Sequence, residues 1–275
     1  MKHEKIYHAR PTSEAFIESY VHEVSSELQI TKRKAIIVCP GGGYGRLSER
    51  EAEPIALQYF AAGLNAFVLR YSTQKKAADY MPLIEACLAV KYLREHADEL
   101  MIDEAHVFIT GFSAGGHLAA WTGTMWHCPQ VAAHLGGAES NICKPTATIP
   151  CYPVITSDPK ERHLGSVLTL NGGVHDEEQL KQFSLELQVD ERTSPAFLWH
   201  TAEDGCVPVM NSLLYASALA KYKIPFELHV YPKGPHGLSL CNKETWVNNP
   251  ACDTPYVASW LELAIRFVTE CPFEK

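Results

Sequence analysis

Apolar residues along the chain fall into short dense runs separated by stretches of helical period. Residues 35–39 (AIIVC), 66–71 (AFVLRY), 107–110 (VFIT), 147–152 (ATIPCY), 196–200 (AFLWH) and 226–231 (FELHVY) are near-continuous apolar segments of strand length. Runs of this kind suit strands buried on both faces of a parallel sheet. Between them, residues 49–62, 80–100, 209–222 and 255–270 place apolar side chains three and four apart. In 80–100 the residues Leu83, Ala86, Cys87, Val90, Tyr92 and Leu93 make one amphipathic stripe. The alternation predicts an α/β fold with a mainly parallel central sheet and helices on both faces. Residues 15–24 (AFIESYVHEV) alternate loosely and predict an edge hairpin outside the main sheet. Residues 156–193 break the rhythm, being polar and rich in Gly and acidic side chains (NGGVHDEEQL). A structureless loop of that length is unusual inside a compact domain, so a partly helical insertion or cap is expected there. With no repeat or heptad run, residues 1–275 read as a single domain carrying that insertion.

Charge and cysteine content narrow the classes. Lys and Arg number 24 against 32 Asp and Glu, a net charge of −8. This argues against general nucleic-acid binding, which wants a basic face. No stretch approaches the roughly 18–20 apolar residues of a membrane span. The segment MKHEKIYHARP lacks the apolar run of a secretory signal. Nine cysteines, an odd number with no C-x-x-C, read as reduced and mostly buried thiols of a cytoplasmic chain. The expected partner is a small molecule, with no nucleic acid and no membrane. A second copy covering the polar insertion or an edge strand would make a homo-oligomer.

The sharpest chemical signal is Gly111-Phe112-Ser113-Ala114-Gly115, a G-x-S-x-G pattern. An apolar strand segment leads in and a helix-like stretch, GGHLAAWTGTMW, leads out. This is the strand–turn–helix that presents a serine hydroxyl above a strand end, with the helix N-terminus favouring negative charge behind it. A second Gly-rich turn, Pro40-Gly41-Gly42-Gly43-Tyr44-Gly45, follows residues 35–39. Amides of Gly42 and Gly43, with that of Ala114, are candidate donors to a tetrahedral oxyanion. A phosphate loop would want a following Lys-Ser or Lys-Thr, which is missing. For the acid and base, Asp204 (TAEDGCVP) and His236 (YPKGPHGLSL) follow strand segments in the order Ser, Asp, His. Glu203 competes as the acid, and Asp158, Asp190 and Asp253 have weaker settings. His200 reads as packed at a strand end, and His117 as a helix-packing residue that also stands near the serine. His127-Cys128, Cys143 and Cys151 match no common zinc spacing, so no metal is expected.

Taken together, VCPGGGYGRLSEREAEPIALQYFAAGLNAFVLRYS, TGFSAGGHLAA, SLELQVDERTSPAFLWHTAEDGCVPVMNSLLYASALA and FELHVYPKGPHGLSL resemble the α/β-hydrolases. The likeness is closest to the acetyl esterase, acetylxylan esterase and feruloyl esterase-like group of sugar-ester hydrolases. Pro40 stands where related carboxylesterases often carry His. The resemblance implies a triad of Ser113, Asp204 and His236, oxyanion donors from Gly42, Gly43 and Ala114, and no cofactor. It implies a carboxylesterase acting on short acyl esters, acetylated sugars foremost. Tyr44, Trp199 and residues of the insertion are expected pocket walls, since aromatic faces suit sugar rings; for Trp199 plain core is the competing reading. Cys206, two residues past Asp204, is a candidate for inactivation by thiol reagents. A prolyl oligopeptidase-type peptidase, an arylformamidase and a non-catalytic binding module are the rival readings.

Overall fold

Each of the six apolar runs becomes a strand. In the computed structural model, which describes residues 1–137, 140–271 and 273, these are β3 (Arg33–Cys39), β4 (Asn65–Arg70), β5 (Ile102–Phe112), β6 (Thr148–Cys151), β7 (Ala196–Thr201) and β8 (Phe226–Tyr231). They follow β1 (Lys2–Ile6) and β2 (Phe16–Val21), and all eight form one sheet in the order β1-β2-β4-β3-β5-β6-β7-β8. The pairs from β4 to β8 are parallel, while β1 and β2 run antiparallel at one edge. The helices are α1 (Glu53–Ala61), α2 (Met81–Glu95), α3 (Ala114–Met125), α4 (Pro129–Ala132), α5 (Leu164–Leu170), α6 (Glu177–Leu180), α7 (Met210–Lys221) and α8 (Pro255–Glu270). Among the described residues no helix is long and apolar enough to cross a membrane.

Strand β3 shows why the runs are continuous. Its neighbours alternate between two cores. Ile37 and Cys39 join α2, α3 and α7 through Leu83, Leu118 and Tyr215. Ile36 and Val38 join α1 and α8 through Ile55, Tyr59 and Trp260. Both faces are covered, so no polar position survives mid-strand.

The hairpin expectation needs correcting. β1 and β2 lie within the main sheet, since Phe16–Tyr20 pair with Arg70–Ala66 of β4. Polar groups there are hydrogen-bonded in pairs. The Ser19 hydroxyl bonds the Glu4 backbone, Arg70 bonds Glu18 at 2.9 Å, and the Asn65 side chain accepts from the His22 amide at 3.0 Å.

The 156–193 region is partly helical, as expected, and holds α5 and α6. It packs Val167, Leu170, Leu180, Phe183 and Leu185 against the α2–α3 core. Buried Asn211 of α7 pins its entrance. The Asn211 Oδ1 accepts from the amides of Ile155 (2.8 Å) and Thr156 (3.0 Å), and its Nδ2 donates to the Glu161 carbonyl (2.8 Å). Arg162 then forms a forked pair with Glu177 at 2.6 and 3.0 Å.

Replacing Asn211→Ala leaves two buried amides and a carbonyl unpaired. The expected loss is about 2–4 kcal/mol, at roughly 1–3 kcal/mol per orphaned group with partial relaxation. Urea unfolding measures it, and limited proteolysis should cut first within residues 156–193. A loss below about 0.5 kcal/mol would deny Asn211 this anchoring role.

Candidate active site

Strand β5 ends at Phe112 and helix α3 begins at Ala114. Ser113 between them has φ 56° and ψ −117°, a conformation that costs a non-glycine residue about 1–3 kcal/mol. The turn is held because its neighbours leave no alternative. A Cβ on Gly111 would strike the Gly115 carbonyl, and a Cβ on Gly115 would strike the carbonyls of Cys39 and Pro40. The Ser113 amide donates to the Cys151 carbonyl (3.0 Å), and its own carbonyl accepts from His117 (3.0 Å) and Val154 (3.1 Å). The backbone is thus fixed on three sides and the hydroxyl is left to the cavity.

The loops after β7 and β8 bring Asp204 and His236 to it. His236 Nε2 lies 2.8 Å from Ser113 Oγ, and its Nδ1 lies 2.6 Å from Asp204 Oδ2. Asp204 Oδ1 accepts from the amides of Cys206 and Val207, each at 2.9 Å. Behind it, His200 is wholly buried, with Nε2 2.9 Å from the Val207 carbonyl and 3.4 Å from Asp204 Oδ2. Burial works to raise the Asp204 carboxyl. Hydrogen bonds from His200, His236 and the Val207 amide, with the His236 charge, overcome it and hold the group well below the ordinary carboxylate range. A carboxylate so held fixes the imidazole tautomer with Nε2 facing the serine.

The glycine loop forms the third wall. The Gly42 carbonyl accepts from Gly45 (3.1 Å) and Arg46 (3.3 Å), curling the loop over. Among the described residues the amides of Gly42 and Gly43 have no protein acceptor, and that of Ala114 is an orphan donor of a helix first turn. Gly42, Gly43, Ser113, His163, Cys206 and His236 line a cavity of about 260 Å³.

Two further residues organise the loops, and sequence reasoning missed both. Glu51, 2% exposed, accepts from the Gly41 amide through Oε2 (3.0 Å) and from the Tyr152 hydroxyl through Oε1 (2.7 Å). Tyr152 Oη in turn accepts from the Ser239 amide at 3.0 Å, and its ring meets His236 edge to face at 5.1 Å. Arg50 donates to the Gly237 carbonyl at 2.5 Å. In sequence, SEREAEP is a charged helix start with no local mark of burial.

Two expected pocket walls are corrected. Tyr44 is wholly buried, because φ +60° at that position turns its ring under the loop. Its hydroxyl lies 2.8 Å from His117 Nδ1. Trp199 is also wholly buried, stacked on Trp260 at 5.1 Å, so the core reading holds. His117 packs as expected and does not line the cavity. Its Nε2 donates to the Phe183 carbonyl (3.0 Å), so Nδ1 accepts from Tyr44. Glu203 is exposed beside buried Asp204, and Asp158 and Asp190 bond their own turns. The nine cysteines are free thiols, all buried except Cys206. Burial and the Asp204 charge push the Cys206 thiol up, which slows alkylation at neutral pH.

The sequence profile of the BD-FAE family matches residues 25–219. The chain is 39% identical over 223 residues to an endo-1,4-beta-xylanase B of Butyrivibrio fibrisolvens, covering 78% of this chain and 34% of that protein. It is 30% identical over 212 residues to an acetylxylan esterase of Xylanibacter ruminicola, covering 75% and 41%. The chain therefore spans less than half the length of either relative. A crystal structure of an acetyl ester-xyloside bifunctional hydrolase from Caldicellulosiruptor lactoaceticus superposes with a TM-score of 0.81 at 33% identity, covering 99% of this chain and 97% of that one.

Burial lowers the His117 pKa from 6.5 to about 4. The folded state holds it neutral, so its contribution is complete above about pH 6.5 and is lost as pH falls through about 4. The urea midpoint of the wild type should exceed that of His117→Gln at about pH 7, with the gap closing toward about pH 4. A gap that does not change with pH would show that the ring is not held neutral.

Proposed function

The chain belongs to the BD-FAE family of α/β-hydrolases, and from that membership we propose a serine carboxylester hydrolase that cleaves short acyl esters, O-acetylated sugars or oligosaccharides in particular. The observation that carries the reading is the unbroken hydrogen-bond chain Asp204–His236–Ser113 opening beside unpaired amides.

His236 Nε2 takes the Ser113 proton as Oγ attacks the ester carbonyl carbon. The carbonyl oxygen becomes an oxyanion held by the amide of Ala114 and those of Gly42 or Gly43; one such donor is worth about 10²–10³ in rate. The tetrahedral adduct collapses, breaking the bond to the alcohol oxygen, which leaves with the proton from His236. Water then attacks the acyl-serine, gives its proton to His236, and the carboxylic acid departs with Ser113 re-protonated. Asp204 stays ionised throughout and offsets the imidazolium charge. Every step uses side chains and amides of this chain.

Two observations support a small acyl group and a sugar alcohol. The cavity of about 260 Å³ is below the roughly 300–1,000 Å³ of pockets for drug-sized ligands. The relatives are named for acetylxylan and acetyl ester-xyloside chemistry.

Ser113→Ala should lower hydrolysis of nitrophenyl acetate by at least about 10³ while the thermal melting curve stays cooperative. Undiminished turnover in that variant would sink the serine mechanism. Across acetyl, butyryl and octanoyl nitrophenyl esters, kcat/KM should fall with chain length. An octanoyl preference would exclude a sugar acetylesterase.

A further inference from the structure

We infer that His163, carried by the insertion between β6 and β7, reads the alcohol half of the ester by donating a hydrogen bond from Nε2 to a free hydroxyl oxygen next to the esterified one. This deepens the sugar-ester reading and rests on it.

The tautomer follows from the local backbone. His163 caps helix α5, and its Nδ1 accepts from the Ser166 amide at 3.3 Å. The Ser166 amide is shared with the His163 carbonyl at 3.1 Å, but its hydrogen points at Nδ1 and would meet any proton there, so Nδ1 carries none and Nε2 does. Ser166 Oγ sits at 2.8 Å from the same Nδ1. Among the described residues Nε2 has no protein partner, and the ring lines the cavity shared with Ser113 and His236. Burial, and then repulsion from the His236 charge, lowers the His163 pKa against the pull of Asp204. The ring is therefore a neutral donor, suited to an uncharged hydroxyl.

The ring is also rigid. The Glu161 carbonyl is held by Asn211, and Arg162 by Glu177. His163 thus enters the cavity from an anchored segment, and its rotamer is set by the helix cap.

Its position along the glycine loop says which part of the substrate it meets. A Cβ on Gly41 would lie 3.1 Å from Ser113 Cβ, whereas one on Gly43 would lie 3.6 Å from His163 Cε1. The imidazole stands two residues along the curled loop from the serine, a separation of at most about 7 Å between those loop positions. That is the reach of a neighbouring substituent. A short acyl chain offers no acceptor beyond its carbonyl, so a donor facing it would stay unpaired. The hydroxyls of a sugar offer several.

The test compares kcat/KM for trans-2-hydroxycyclohexyl acetate and cyclohexyl acetate, ring esters that differ by one vicinal hydroxyl. Wild type should prefer the hydroxy ester by about five- to tenfold, the worth of one neutral hydrogen bond. In His163→Ala the ratio should fall to near one, and His163→Gln, which keeps an N–H donor, should recover part of it. The inference is overturned if wild type shows no preference, if the ratio survives in His163→Ala, or if wild type cleaves nitrophenyl acetate but neither ring ester. Ser113→Ala on the same esters separates the two levels. Activity there would overturn the serine-esterase reading itself, whereas an inert Ser113→Ala with an unchanged His163→Ala ratio overturns only the assignment of His163.

Discussion

The carboxylate of Glu51 sits where three loops meet, and the site depends on it. One oxygen takes the Gly41 amide, at the start of the glycine loop after β3. The other takes the hydroxyl of Tyr152, just past β6. Tyr152 holds the Ser239 amide in the loop after β8 and lays its ring against His236. A carboxylate this buried is costly unless its oxygens are satisfied. Here the two hydrogen bonds that satisfy it also set the spacing between the loop with the free amides and the loop with the imidazole. The small distances within the site, 2.6 and 2.8 Å about His236, rest on a buried side chain that hydrogen-bonds the Gly41 amide and Tyr152 instead of the serine or the acid.

A second linkage runs through the opposite core. His117 of α3 bridges Tyr44 of the glycine loop to the Phe183 carbonyl of the insertion. The insertion is thus coupled to the loop beneath it, and His163 is placed over Gly43 by the same packing. Two wholly different buried groups, one carboxylate and one neutral imidazole, anchor the glycine loop from its two sides.

How much of this was readable in the chain depends on where each constraint originates. The strands were legible because β3 and its neighbours bury successive residues on opposite faces, which leaves an unbroken apolar run. The grouping of Ser113, Asp204 and His236 was legible because each follows such a run and is bounded by Gly or Pro. The hairpin was misjudged because residues 15–24 alternate only loosely, yet polar Ser19 is buried with its hydroxyl satisfied across the strand pair by Glu4. Tyr44 was misjudged because its proximity to the glycines said nothing of φ +60°, which sends the ring inward. Glu51 was invisible because the partner that buries it, Tyr152, lies 101 positions away. That the insertion walls the cavity was legible, and His163 does line it; that His163 is the residue was not, because its tautomer depends on an amide bond and its placement on a helix, α7, that follows it in the chain.

The order in which the site's pieces occur along the chain bears on how the molecule is made. Ser113 and His236 are 123 positions apart, and Asp204 precedes His236 by 32. During synthesis, N-terminal segments emerge and begin to fold first. The pieces that hold the serine turn, β5, α3, the glycine loop and the backbone at the end of β6, all precede the base in the chain. Until the loop after β8 arrives, the Ser113 hydroxyl lacks the His236 nitrogen it meets in the folded structure. Contacts of this range favour slow folding overall. The topology therefore completes the proposed triad only when the last strand and the loop beyond it are in place.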